Sequence, residues 1–462
     1  MIPPREISRR QLLKATGTLF AGTTASLALP FSRASAAPEP VVETLLEAVR
    51  IARQIRQPSI PARTVVAPLV AGGSAKANHS TLQHTIFQVA EAGGGRICIP
   101  PGLWEIAGPI RVVSNIDLHI SKGATISFID DKSYHLPPVL SRWEGTDMVG
   151  YAPYIYAYQA TNIAITGSGT LDGNGSNRSS TWSRNETVDI NRLREMGRTL
   201  APVQQRIFGE GHSLRPPFIQ LYSCSNVLVE GIGIEDFPFW GLHLLYSNDL
   251  TIRNISVCSL ASNNDGIDVD SSQNVLIEKC IFQTKDDCIA IKSGRDADGR
   301  AVNRPSSDIV IRDCRMIHGG SSGVAIGSEM SGGIRGVYII RCTMDAVSSM
   351  LTVKSNLDRG GRVEHIRAWN VRVGNCSHVL HVTTAYHSYS GGIFPPIIRD
   401  IAIDDVVCEN TECAFDLMGS AEAPLHEIAL QNIEIHRAVT PMRRAFTNSL
   451  LTRTVSINGR FS

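Results

Sequence analysis

Two short stretches gather carboxylates where they could act together: Asn263-Asn264-Asp265-Gly266 and Lys285-Asp286-Asp287-Cys288. Each leads into alternating aliphatics, Ile267-Asp268-Val269-Asp270 and Ile289-Ala290-Ile291-Lys292, and Asp265 and Asp287 both stand two residues ahead of the first aliphatic. They should therefore stack on adjacent strands, with Asp286 beside them. Like charges held this close raise one another's pKa, so three such carboxyls divide into proton donors and proton acceptors. That division is what general acid–base chemistry requires. Asn, Asp and Gly also cluster wherever a chain simply turns, and Asn174-Gly175 and Asp298-Gly299 read that way. The acids differ in recurring in register on consecutive units.

The elements that must position them repeat. From residue 160 onward a polar residue followed by alternating aliphatics recurs, as in Asn162-Ile163-Ala164-Ile165 and Asn226-Val227-Leu228-Val229, then from Asp249, Asn274, Asp308, Gly336, His365, Asp400 and Glu427. From Asn226 the starts lie 23, 25, 34, 28, 29, 35 and 27 residues apart, the signature of a solenoid whose turns vary by insertion. Period-two alternation rich in Val and Ile makes the repeated elements strands. A second strand per turn aligns equally well: Ile219-Gln220-Leu221-Tyr222, Leu242-His243-Leu244-Leu245, the two runs after the acids, Val324-Ala325-Ile326-Gly327, Leu351-Thr352-Val353-Lys354 and Leu380-His381-Val382-Thr383. The predicted fold is all-β, a single-stranded parallel β-helix with a short capping helix over Thr81–Ala92 at its N-terminal end, where an open edge needs cover.

Alternation sends the first and third residues of these strands inward and the second and fourth outward. One outward column runs Gln220, His243, Asp268, Ala290, Ala325, Thr352, His381, and its neighbour Tyr222, Leu245, Asp270, Lys292, Gly327, Lys354, Thr383. Small residues flanked by polar and aromatic ones suit the floor of a groove. Residues 176–216 interrupt the repeats with a polar, Arg-rich insertion, expected as loop walling that groove. Cys280, Cys314 and Cys342 each fall six residues after a repeat start, where other turns carry Ile232, Val371 and Val406, so cysteine acts there as a small core hydrophobe. Neither CxxC nor HExxH spacing occurs, so no zinc site is indicated.

Lys plus Arg (44) and Asp plus Glu (43) nearly cancel, which gives no reason to expect nucleic acid or an anionic membrane as partner. Ser8-Arg9-Arg10-Gln11-Leu12-Leu13-Lys14, a mildly apolar stretch to Pro30 and Ala34-Ser35-Ala36 resemble a twin-arginine export signal with its cleavage site. The expectation is a signal at residues 1–36 and a mature chain, 37–462, carrying 39 basic and 42 acidic groups, a net −3. No other apolar run approaches the roughly 20 residues that cross a bilayer. The expected product is a monomer, exported to the periplasm or beyond.

The acid-bearing stretches, together with Gly169-Thr170-Leu171-Asp172-Gly173, Pro238-Phe239-Trp240, Asp286 to Gly294 and Ile326 to Gly333, resemble glycoside hydrolase family 28, the polygalacturonases, over almost the whole mature chain. The resemblance implies a right-handed β-helix and an inverting hydrolase of pectic poly- or oligosaccharide, with no metal or organic cofactor. It implies Asp286 as general acid and Asp265 and Asp287 as holding and deprotonating water, and inversion leaves about 6.5–9.5 Å between acid and base. Two departures stand out. The family's Gly-His-Gly is here Gly320-Ser321-Ser322-Gly323, with His318 nearby, and its Arg-Ile-Lys is Thr352-Val353-Lys354. A neutral hydroxyl does not replace a guanidinium fork at a carboxylate. Lys292 and Lys354, with His243, are then the expected substrate contacts. Another pectic glycan such as rhamnogalacturonan, or a non-catalytic glycan-binding β-helix, is the alternative. A pectate lyase would need an acidic calcium site and a basic proton abstractor.

Overall fold

The computed structural model describes residues 39–175, 182, 186–317, 320–387 and 389–461. The signal-like segment and His318 lie outside them. The chain divides into compact units at 1–42 and 43–462, and the sheet and the pocket belong to the second. Among the described residues thirty strands join one sheet, and strand pairs with strand in parallel one turn further on. The exception is the antiparallel pair Leu450–Ile457 and Arg460–Phe461 at the C-terminal end. No described helix is long and apolar enough to cross a membrane.

The aligned register is the observed one. Ile219 pairs with Leu242, Leu242 with Ile267, Ile267 with Ile289, Ile289 with Val324, Val324 with Leu351 and Leu351 with Leu380. The polar residue that opens each repeat has a physical reason: Asn162, Asn226, Asp249, Asn274, Asp308, His365, Asp400 and Glu427 all have φ between 53° and 60°. Asn and Asp tolerate this left-handed conformation best among residues with a side chain. Their amides also stack between turns, Asn226 Nδ2 donating to Asn162 Oδ1 at 3.1 Å. Turns up to Thr343–Asp345 contain a third strand absent from the sequence reading, such as Gly233–Glu235 or Ile281–Thr284; beyond it the strands run together, as in Arg362–Thr383.

Inward aliphatics fill one continuous core in which Cys280, Cys314 and Cys342 are buried beside Ile232, Val371 and Val406. All ten cysteines are free thiols. Truncating a fully buried Ile of this stack to Ala should cost about 2–5 kcal/mol. Among the described residues four helices accompany the sheet: α1 (Glu39–Gln54), α2 (Ala75–Glu91), α3 (Glu186–Arg198) and α4 (Asp296–Val302). α2 is the capping helix, begun six residues earlier than expected because Ser74 accepts from the Ala77 amide at 3.2 Å. This N-cap satisfies one of the donors a helix start leaves free. Its Leu82, Ile86 and Val89 enter the core. The 176–216 insertion is not all loop, since it contributes α3 and the strand Ile207–Phe208. That strand pairs with the hairpin Val139–Trp143/Thr146–Gly150.

Candidate active site

The hairpin decides which part of the outward face is open. Arg142, at its first strand, is fully buried and binds Asp147 at 2.7 Å, Asp270 at 2.8 Å and the Tyr246 hydroxyl. Ser141 donates to Gln220 Oε1 at 3.1 Å. Gln220, His243, Asp268 and Asp270 are consequently sealed, each 0% exposed. They face away from the β-helix core as expected, but they are not an open groove floor. His243 takes a hydrogen bond with Gln220 at 3.0 Å, faces Asp270 at 3.5 Å and packs edge-on against Trp240. It is not among the residues lining the pocket.

Beyond the sealed rungs a cavity of about 280 Å³ opens over Asp265, Asp286, Asp287, Lys292 and Lys354. Asp265 and Asp287 are on adjacent rungs, locked by the Gly266 amide donating to the Asp287 carbonyl at 3.0 Å. A Cβ on Gly266 would lie 2.5 Å from the Cys288 carbonyl oxygen, so the rungs approach this closely only with glycine there. Asn264 Oδ1 accepts from the Lys285 and Asp286 amides at 3.1 Å, fixing the turn that carries the next two acids. One oxygen from each of the three carboxyls lies within 4.8 Å of the other two. Between nearest oxygens, this is tighter than the separation expected of an inverting pair.

Their protonation states are driven apart. Burial lifts Asp265 to about 8 against the pull of Lys292, with Asp286 and Asp287 pushing the same way. Burial and the Asp287 charge also raise Asp286, which alone of the three is not fully enclosed. Burial would raise Asp287 too, but Lys354, Lys292 and hydrogen bonds outweigh it and hold this carboxyl below its ordinary value. Lys354 Nζ lies 2.7 Å from Asp287 Oδ2, while the Ser321 hydroxyl and the Ser322 amide donate to Oδ1 at 2.7 and 2.9 Å. Ser321 thus meets Asp287 where the resemblance led to a histidine. The Ser322 hydroxyl bonds Thr352 Oγ1 at 2.8 Å, which turns Thr352 toward the protein.

Lys292 sits among Asp265, Asp268 and Glu329 at 3.4, 3.5 and 3.4 Å, with Trp240 beneath it. Both expected lysines reach the pocket, yet each already serves protein carboxylates. Guanidinium groups come from elsewhere. Arg194 of α3 and Arg295, just before α4, line the same cavity, joined through Glu144 of the hairpin turn at 2.7 and 3.6 Å. Neither buried Nε has a hydrogen-bond partner among the described residues. Tyr386 and His387, after the strand Arg362–Thr383, complete the wall. Sequence reading missed Arg194, Arg295, Glu144, Tyr386 and His387. The Arg-rich insertion was the one available signal, and it held Arg194.

The family profile for glycosyl hydrolases family 28 matches residues 115–449. A probable polygalacturonase of Vitis vinifera is 27% identical over 416 residues, covering 86% of this chain and 80% of that protein. An endo-polygalacturonase of Pectobacterium parmentieri is 26% identical, covering 77% and 83%. Among solved structures, a hyperthermoactive exopolygalacturonase from Thermotoga maritima superimposes with a TM-score of 0.82 at 34% identity, covering 89% of this chain and 96% of that one.

Proposed function

The chain belongs to glycosyl hydrolases family 28, and on that premise we propose that it is a polygalacturonase-like enzyme hydrolysing α-glycosidic bonds of pectic polysaccharide from a chain end. The observation that carries this reading is the three-carboxyl cluster with divergent protonation, set in a cavity sealed on its N-terminal side. A cavity closed at one end receives a chain terminus and does not let a chain pass through, and the 34%-identical relative is an exopolygalacturonase. Asp286, the most open carboxyl and one that retains its proton above the usual range, gives that proton to the leaving glycosidic oxygen. Asp287, kept ionised by Lys354, takes a proton from water as its oxygen attacks the anomeric carbon, and Asp265 helps hold that water. Lys354 and Lys292 act on the protein's own acids, so the uronate carboxylate falls to Arg194 and Arg295.

Product sizing on homogalacturonan tests the reading. Single galacturonate units should appear from the start, whereas long fragments early on would mean internal cleavage, and an unsaturated, ultraviolet-absorbing product would mean a lyase. A higher kcat/KM on rhamnogalacturonan than on homogalacturonan would reassign the substrate. The short spacing of the carboxyls supports a second reading, a retaining route, whose pairs stand about 5–5.5 Å apart. Proton NMR of the first product separates the two, because inversion yields the β-anomer and retention the α-anomer. The paired Arg9-Arg10 supports action after export, and replacing both with Lys should leave the precursor in the cytoplasm.

A further inference from the structure

The outward column continues past the pocket toward the C-terminus as Thr352, His381, Asp416, Arg443. His381 stands three rungs beyond Ala290, about 14 Å at the roughly 4.8 Å spacing of strands. His378, three residues earlier on the strand Arg362–Thr383, turns to the same point. One nitrogen of each histidine and one oxygen of Asp416 all lie within 4.8 Å of one another. His381 Nδ1 is 3.1 Å and His378 Nε2 3.7 Å from Asp416 Oδ2.

Two observations go beyond proximity. Asp416 is 5% exposed, and its buried Oδ1 has no hydrogen-bond partner. Ser349 Oγ stands 3.4 Å from His378 Nδ1, the kind of outer contact that fixes which ring nitrogen faces inward. Two imidazoles and a carboxylate suit zinc and other first-row dications. We propose that His378, His381 and Asp416 form a binding site for a divalent transition metal, zinc foremost, on the open side of the groove and apart from the catalytic carboxyls.

Arg443 competes for the same carboxylate. Its guanidinium lies 2.9 Å from Asp416 Oδ2 and 3.5 Å from His378 Nε2, but the side chain is 56% exposed and free to withdraw into water. It supplies one positive charge where a dication supplies two. The site therefore has mutational signatures of opposite sign.

Zinc chloride titrated calorimetrically into the full-length protein at neutral pH should bind with one equivalent. Ser349→Ala should weaken binding by about 10-fold, and His378→Gln or Asp416→Asn by more than the roughly 100-fold upper range for loss of an outer contact. Arg443→Ala should tighten it. Asp286→Asn, which alters the three-carboxyl cluster of the active site, should leave zinc affinity unchanged. The proposal is overturned if wild type binds no stoichiometric zinc, if His378→Gln binds as wild type does, or if Asp286→Asn abolishes binding. His378 is partly exposed, so its variant keeps the test valid should Asp416→Asn not fold.

Discussion

The two ends of the outward face are built from the same repeated strand in the same register, and they have opposite fates. Toward the N-terminus Gln220, His243 and Asp270 lie sealed beneath the hairpin and Arg142. Toward the C-terminus His378 and His381 keep 19% and 26% of their side chains exposed. Chemistry gathers at the seam, where Asp265 and Asp287 are buried and Asp286 alone stays partly open. The repeat thus supplies position, while segments far away in sequence decide whether a position is solvent, substrate pocket or interior. Burial also lifts two of the three carboxyls, being the first cause of the rise at both Asp265 and Asp286.

The largest expected effect is at the seam. Asp286→Asn keeps the shape but cannot donate a proton, so kcat on polygalacturonate should fall about 10²- to 10⁴-fold with the melting temperature little changed. A rate within tenfold of wild type would remove Asp286 from the role of acid. Next comes the closed end. Arg142→Met leaves Asp147 and Asp270 without their buried cation, and breaking such a pair costs about 3–5 kcal/mol. If the variant folds, loosening the hairpin should shift products from single units toward longer fragments. An unchanged product pattern at lowered stability would show that Arg142 holds the fold without closing the pocket.

The third effect concerns the guanidinium that the strand Val347–Lys354 lacks. Loss of a charge-assisted contact is worth about 1.5–3 kcal/mol, so Arg295→Gln should lower kcat/KM on polygalacturonate by roughly one to two decades. Its effect should shrink on a neutral or carboxyl-esterified substrate. Equal losses on both would mean that Arg295 only orders Glu144 and Glu329.

Much of this was legible in the residues themselves. Alternation gave each strand's inward face, and the polar repeat starts proved to be left-handed positions, so register and the stacking of Asp265 on Asp287 could be read directly. Alternation says which way a side chain points and nothing about what lies over it. His243 therefore read as a groove residue although Ser141 and Arg142, about a hundred residues earlier, belong to the segment that seals it. Arg194 and Arg295 escaped for the same reason, as they come from helical insertions outside any repeat. The His378 to His381 pair matches neither CxxC nor HExxH, and its third donor is one turn further along the solenoid.

The smallest effect tests whether burial sets the cluster's proton affinity. Asp265 has a folded pKa of about 8 against about 3.9 in an unfolded chain, so between those values the folded state binds more protons. Stability varies with pH as the protons bound unfolded minus those bound folded, which is negative here, so this group's contribution is full below about pH 4 and is lost as pH rises toward 8. Asp286 pushes in the same direction, whereas lowered Asp287 adds stability above its unfolded pKa and loses it only in acid. Asp265→Asn removes the first of these terms. Any packing or hydrogen-bonding penalty of the amide is independent of pH, so the melting temperature of the variant minus that of wild type should climb steadily from pH 5 to pH 8. Thermal melts across that range measure it. A difference constant with pH would mean that Asp265 titrates as an ordinary carboxylate, and the sealed end would then have no hold on the protons at the seam.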